Sequence, residues 1–172
     1  MAILGYNTAG TTRYNGTSYK GVSNYNVLAP ENGVITGIYI WSDADNNGKK
    51  CKLGIYEGTN SALQITDSRV YGSQELTASG VNYWAGFNDL NISMVSGRYY
   101  RMCFANSDGA NPWYLHYDGD GSHYYNLSTT YSDEITDQHG SIANTGSIRM
   151  SLYIEYTPSG ATGKPYYYFR NQ

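Results

Sequence analysis

Apolar residues recur at every second position through most of this chain, and no segment repeats them at helical spacing over three turns. Val34, Thr36, Ile38 and Ile40 are expected on one face of a strand, with Ile35, Gly37, Tyr39 and Trp41 on the other. Cys51, Leu53 and Ile55 alternate with Lys52, Gly54 and Tyr56, and Tyr100, Met102 and Phe104 alternate with Arg101, Cys103 and Ala105. Ile148, Met150, Leu152 and Ile154 against Arg149, Ser151, Tyr153 and Glu155 form the cleanest half-buried pattern in the chain. Further strands are expected near residues 21–29, 63–71, 83–90, 113–117 and 123–127. Between them lie residues that tolerate positive φ, in Pro30-Glu31-Asn32-Gly33, Asp45-Asn46-Asn47-Gly48, Ser107-Asp108-Gly109 and Asp118-Gly119-Asp120-Gly121. About nine short strands joined this way predict an all-β fold, an antiparallel two-sheet β-sandwich.

Length and charge narrow the picture further. The 172 residues fit one sandwich domain over residues 1–157 with an appended segment, 158–172, and a core of that size is stable without cross-links. The segment opens as a flexible linker, Pro158-Ser159-Gly160-Ala161-Thr162-Gly163-Lys164-Pro165, and ends in the aromatic run Tyr166-Tyr167-Tyr168-Phe169. Such rings seldom stay in water, so the run is expected either to return to its own sandwich or to add to a neighbouring subunit in a homo-oligomer. Charged residues make up 15% of the chain and the net charge is −3, with Lys49, Lys50 and Lys52 as the one basic cluster. Nothing there could neutralise many phosphates, so nucleic acid is not an expected partner. No apolar run reaches the length of a membrane-spanning helix, and no membrane partner is expected. Cys51 and Cys103 each sit in an expected strand, as buried thiols or as a disulfide if their strands bring them together.

Two regions offer ligand chemistry. Asp43, Asp45 and Asn47 precede Gly48 in the spacing that opens a calcium loop, but the twelfth position is Gly54 where a bidentate glutamate belongs. No cofactor is expected, with calcium the one candidate and a polar hairpin turn the competing reading. The second region is aromatic. Residues 113–117 and 123–127 are expected to form a hairpin around the Gly/Asp loop, with Trp113, Leu115 and Tyr117 on one face and Tyr114 and His116 on the other. Sugars lay their C–H faces on aromatic planes, and Asp118, Asp120 and Asn126 stand beside Trp113, Tyr117, Tyr124, Tyr125 and nearby Trp41 as hydroxyl partners. The same residues equally suit an assembly contact or an ordinary sheet surface. Catalysis has little support, because G-x-S-x-G and H-E-x-x-H are both missing and the acids fall mostly in turns.

The stretch from Gly33 to Tyr56, then Trp84-Ala85-Gly86-Phe87-Asn88-Asp89-Leu90, then Val95-Ser96-Gly97-Arg98-Tyr99-Tyr100, resembles jelly-roll β-sandwich modules. Such modules occur in phage virion decoration and fibre proteins and as bacterial carbohydrate-binding modules, and the resemblance runs from about Gly21 to Tyr156. It implies a jelly-roll-like sandwich with Trp84 packed inside. The start Met1-Ala2-Ile3-Leu4-Gly5 has no signal-peptide pattern, which suits a virion protein made in the host cell and released by lysis, or a domain behind an added methionine. The expectation is a non-enzymatic surface protein, placed on a virion or outside the cell. Other virion or surface proteins, or a cell-surface glycan, are its expected partners, and a carbohydrate-binding module is the alternative.

Overall fold

Strict alternation on paired strands leaves each sheet with one apolar face, and two such faces close on each other here. The computed structural model describes residues 1–14, 19–62, 67–106, 112–128, 135 and 144–160, with the backbone alone for 19, 120–128 and 144–147. In chain order the strands are β1 (Ala2–Gly5), β2 (Thr12–Tyr14), β3 (Tyr19–Ser23), β4 (Gly33–Ser42), β5 (Lys50–Gly58) and β6 (Ser68–Thr77). Then follow β7 (Tyr83–Phe87), β8 (Ile92–Met94), β9 (Tyr99–Asn106), β10 (Leu115–Ser128), β11 (Asn144–Met150) and β12 (Leu152–Pro158). Among the described residues the helical content is one 3₁₀ turn, Ala44–Asn46. The smaller sheet runs β1-β12-β4-β7, with β8 also on β4, and the larger runs β11-β10-β3-β9-β5-β6, with β2 on β10. Every pairing between named strands is antiparallel.

The core between the sheets takes Ile35, Ile38 and Ile40 from β4, Leu53 and Ile55 from β5, Met102 and Phe104 from β9, and Leu152 and Ile154 from β12. That list corrects the expected facing of β4. Its partner β12 shifts register between Glu155 and Tyr156, so that Gly37 faces Glu155 while Ile35 faces Tyr156. One extra residue in β4 therefore carries Ile35 to the same side as Ile38, and Val34 and Thr36 are only half-buried.

Three other expectations change. The Ile148–Glu155 pattern is two strands, one in each sheet, joined at Ser151. There the Ser151 N–H donates to the His116 carbonyl, and the Ser151 carbonyl accepts from the Trp41 N–H. Inward alternation survives the corner, which is why the sequence reads as one run. The expected hairpin at 113–127 is a single fourteen-residue strand, β10, whose register on β11 shifts between Gly119 and His123. Its Gly/Asp run makes an irregularity within the ladder instead of a reversal. The expected strand over 21–29 stops at Ser23, and Asn26 adopts a left-handed φ of 48° beyond it. The Ser107-Asp108-Gly109 turn lies outside the described residues.

β9 is buried on both faces. Cys103 points away from the main core into a second cluster with Val22, Tyr56 and Ile135, whereas Cys51 lies in the main core. Opposite faces of one sheet keep the two sulfurs apart, and both cysteines are free thiols. Burial pushes the Cys103 thiol up to about 12 and raises Cys51 as well.

Candidate functional site

The aromatic residues singled out in the sequence separate once placed on strands. Trp113 is fully buried, inside the core, and its indole N–H donates to the Trp41 carbonyl at 3.2 Å. The expected alternation of Trp113 and Leu115 is correct, but the face they share is the inner one, so no sugar ring can lie on Trp113. Tyr117, within β10, is half-buried. Asp118 is committed to the amino-terminal segment. It accepts from the Tyr6 hydroxyl at 2.6 Å and from both the N–H and hydroxyl of Thr11 at 2.8 Å. The Thr11 N–H, then the Tyr6 and Thr11 hydroxyls, hold its pKa below the usual aspartate value. Asp120 lies within β10, and Tyr124, Tyr125 and Asn126 run between β3 and β11; the side chains of these four lie outside what is described. The tail residues Tyr166, Tyr167, Tyr168 and Phe169 lie outside the described residues altogether.

The candidate calcium ligands form a capped turn. Asp43 Oδ1 accepts from the N–H groups of Asp45 and Asn46, closing the 3₁₀ turn. Its Oδ2 meets His116 Nε2 at 2.9 Å and Arg13 at 3.2 Å, and Arg13 also pairs with Asp45. A cation placed here would have to displace Arg13, which pairs with both carboxylates. Among the described residues no cluster gathers three metal-type ligands. His116 Nδ1 faces the Gly10 carbonyl at 3.0 Å. With an oxygen at each ring nitrogen, this Asp–His pair leaves no nitrogen facing a nucleophile.

Two asparagines missed in the sequence hold the segment that leads into β10. Asn106 donates its amide N–H to the Trp113 carbonyl at 2.8 Å and accepts the Trp113 N–H at 2.6 Å. Asn46 does the same for Tyr114, at 3.1 and 2.6 Å. Each buried side chain thus stands in for a neighbouring strand and satisfies backbone groups that burial would otherwise leave unpaired. Asn46 sits in a run that reads as turn chemistry, which hides this role.

The outer face of the smaller sheet gathers what the sequence had scattered. Tyr39 and Trp41 on β4 face Tyr153 on β12 and Trp84 on β7 across the ladder. Their rings form a continuous cluster. Tyr39 stacks on Tyr153 with centroids 5.1 Å apart, Trp84 meets Tyr153 edge-on at 4.7 Å, and Trp41 meets Trp84 at 5.4 Å. Tyr153 is 7% exposed beneath the others, while Tyr39, Trp41 and Trp84 are half-exposed. Trp84 is therefore an outer-face residue, not a core one. Its neighbours Ala85 and Phe87 supply the inward contacts.

Glycine makes this face possible. A Cβ at Gly86 would sit 2.0 Å from the Ile38 carbonyl oxygen and 2.8 Å from the Tyr39 ring, and one at Gly37 would sit 2.6 Å from the same ring. Tyr39 leans into space that any side chain there would fill. Burial first, then the Glu155 charge and a hydrogen bond to it, raises the Tyr39 pKa, and burial pushes Tyr153 up to about 12. Beside the rings lies a depression of about 600 Å³ whose lining includes Thr36, Tyr39, Asn88, Asp89, Asn91 and Glu155. Asp89 enters it from a left-handed turn (φ 58°). The Thr36 hydroxyl oxygen is buried there with no hydrogen-bond partner among the described residues.

Of the expected ligand residues whose side chains are described, only Trp41 belongs to this face. Tyr39, Trp84, Tyr153, Glu155 and Asp89 were missed. A usable signal existed in the outward alternation of Tyr39 and Trp41 and, separately, of Tyr153 and Glu155, but strand pairing is what brings them together. Compared with known proteins, the chain matches no family model, and no curated protein is significantly similar to it in sequence.

Proposed function

We propose that this chain is a non-enzymatic surface protein, a decoration or fibre-type component of a phage virion, that makes contact through the outer aromatic face of its smaller sheet. The observation that carries the reading is the ring cluster of Tyr39, Trp41, Trp84 and Tyr153, set above two glycines and left half-open. Rings of this kind add contact area at little entropic cost and are enriched where proteins bind.

Strand order supports the virion reading through fold. With β2, β10 and β11 set aside as additions and β7 and β8 counted as one interrupted strand, eight strands remain in chain order. The smaller sheet then reads first, eighth, third, sixth, and the larger reads second, seventh, fourth, fifth. We read this as a jelly roll, the double-sheet arrangement common in viral coat proteins. Fold alone does not carry function, so weight rests on the face. In this scheme terminal segments hold the protein to the particle or to sister copies, and the ring face points outward.

The test is direct. Mass spectrometry of gradient-purified particles from a culture producing this chain should find it as a structural component. Particles bearing Trp41→Ala/Trp84→Ala should adsorb to cells more slowly than wild type. Absence of the chain from purified particles overturns the virion assignment.

A further inference from the structure

We infer that the outer face of the smaller sheet is a saccharide site, with neutral sugar rings lying on Tyr39 and Trp84 and their hydroxyls bonded in the adjoining depression. The inference rests on the reading of this face as a contact surface and names what it contacts.

Three features point to this ligand class. First, the half-exposed rings lie on one sheet face and lead into a depression lined by both apolar and polar groups, which is the pairing a sugar needs: an apolar plane for its C–H face and bonding groups for its rim. Second, the bonding groups are of the right kinds. Asn88 and Asn91 offer amides that both donate and accept, and Asp89 and Glu155 offer acceptors. Third, the charge is selective. Two carboxylates, Asp89 and Glu155, line the depression against one cationic group among the described residues, the amino terminus of Met1, so the balance of charge disfavours uronates, sialic acids and phosphorylated polymers. The site also comes ready-made. Tyr39 is held by its stack on Tyr153 and its hydrogen bond to Glu155, and its position over Gly37 and Gly86 leaves little ordering to be done on binding.

Tryptophan emission reads this site, because Trp41 and Trp84 are half-exposed and Trp113 is buried. The purified full chain is titrated with cellohexaose, xylohexaose, mannohexaose and N-acetylchitohexaose, with oligogalacturonate as the acidic comparison, and acrylamide quenching is followed. At least one neutral hexasaccharide should protect the tryptophans while oligogalacturonate does not. Trp84→Ala should weaken that binding about tenfold. Asn91→Ala, at an exposed position that does not endanger folding, should weaken it too, with an unchanged thermal midpoint. Protection by the acidic oligomer alone overturns the inference. If no saccharide protects but the Trp41→Ala/Trp84→Ala particles still adsorb slowly, the face engages a protein and the saccharide class falls while the attachment reading stands. If no saccharide protects and adsorption is unchanged, both fall.

Discussion

Two tryptophans of this chain show how position decides role. Trp113 is sealed in the core and hydrogen-bonded to β4, whereas Trp84 lies on the outer face of the same β4 neighbourhood. Trp113→Ala should therefore cost about 3–5 kcal/mol of stability, read as a large drop in thermal midpoint. Trp84→Ala should cost only about 1 kcal/mol, the value of a ring contact, while removing part of the proposed contact surface. Nothing in the two local sequences separates these fates, since both residues start strand-like runs; what differs is which sheet face each meets. Asp118 is a similar case. It reads as a sugar-bonding rim residue, yet it ties Thr11 and Tyr6 to β10. Because the fold lowers its pKa, its contribution is present above the unfolded aspartate value of 3.8 and is lost as pH falls through the lower folded value. Melting curves from about pH 5 to about pH 2 should fall less steeply for Asp118→Asn than for wild type.

Elements were legible where the alternation was strict and unbroken. Strands β5 and β9 match the expected positions and facing, because period two alone dictates them. The failures share one cause: alternation does not reveal where a ladder slips or bends. The extra residue in β4 reverses the side chains of Val34 through Thr36 relative to a straight count, and the corner at Ser151 divides one periodic run between two sheets. Within β10, glycine and aspartate can make either a reversal or an irregularity, and only pairing with β3 and β11 selects the second. The approach to β10 depends on borrowed partners. Asn106→Leu removes both hydrogen bonds to the Trp113 backbone, and each stranded group should cost about 1–3 kcal/mol. Denaturant unfolding measures this, and an unchanged midpoint would mean that water replaces the amide.

For the whole molecule, the sandwich class followed from periodicity and turn chemistry, but the candidate site did not, because its members come from three strands distant in sequence. Assembly is the open issue at this scale. If the aromatic run at 166–169 joins copies together, deleting residues 165–172 should reduce the mass measured by light scattering. A mass unaffected by the deletion assigns oligomerisation, or its lack, to the sandwich itself. One further consequence comes from β1 and β12. Ala2 stands opposite Tyr156 and Gly5 opposite Tyr153, so the first strand enters and the last strand leaves at one corner of the same sheet. A load applied between these ends opens the pair like a zip, one rung at a time, and meets little resistance. A load entering through Trp84 is spread along β7 and β4 and strains many rungs at once. Optical tweezers pulling from Met1 and Gly160 should thus unfold the protein at lower force than handles at Trp84 and Gly160, an asymmetry suited to the contact proposed for that face.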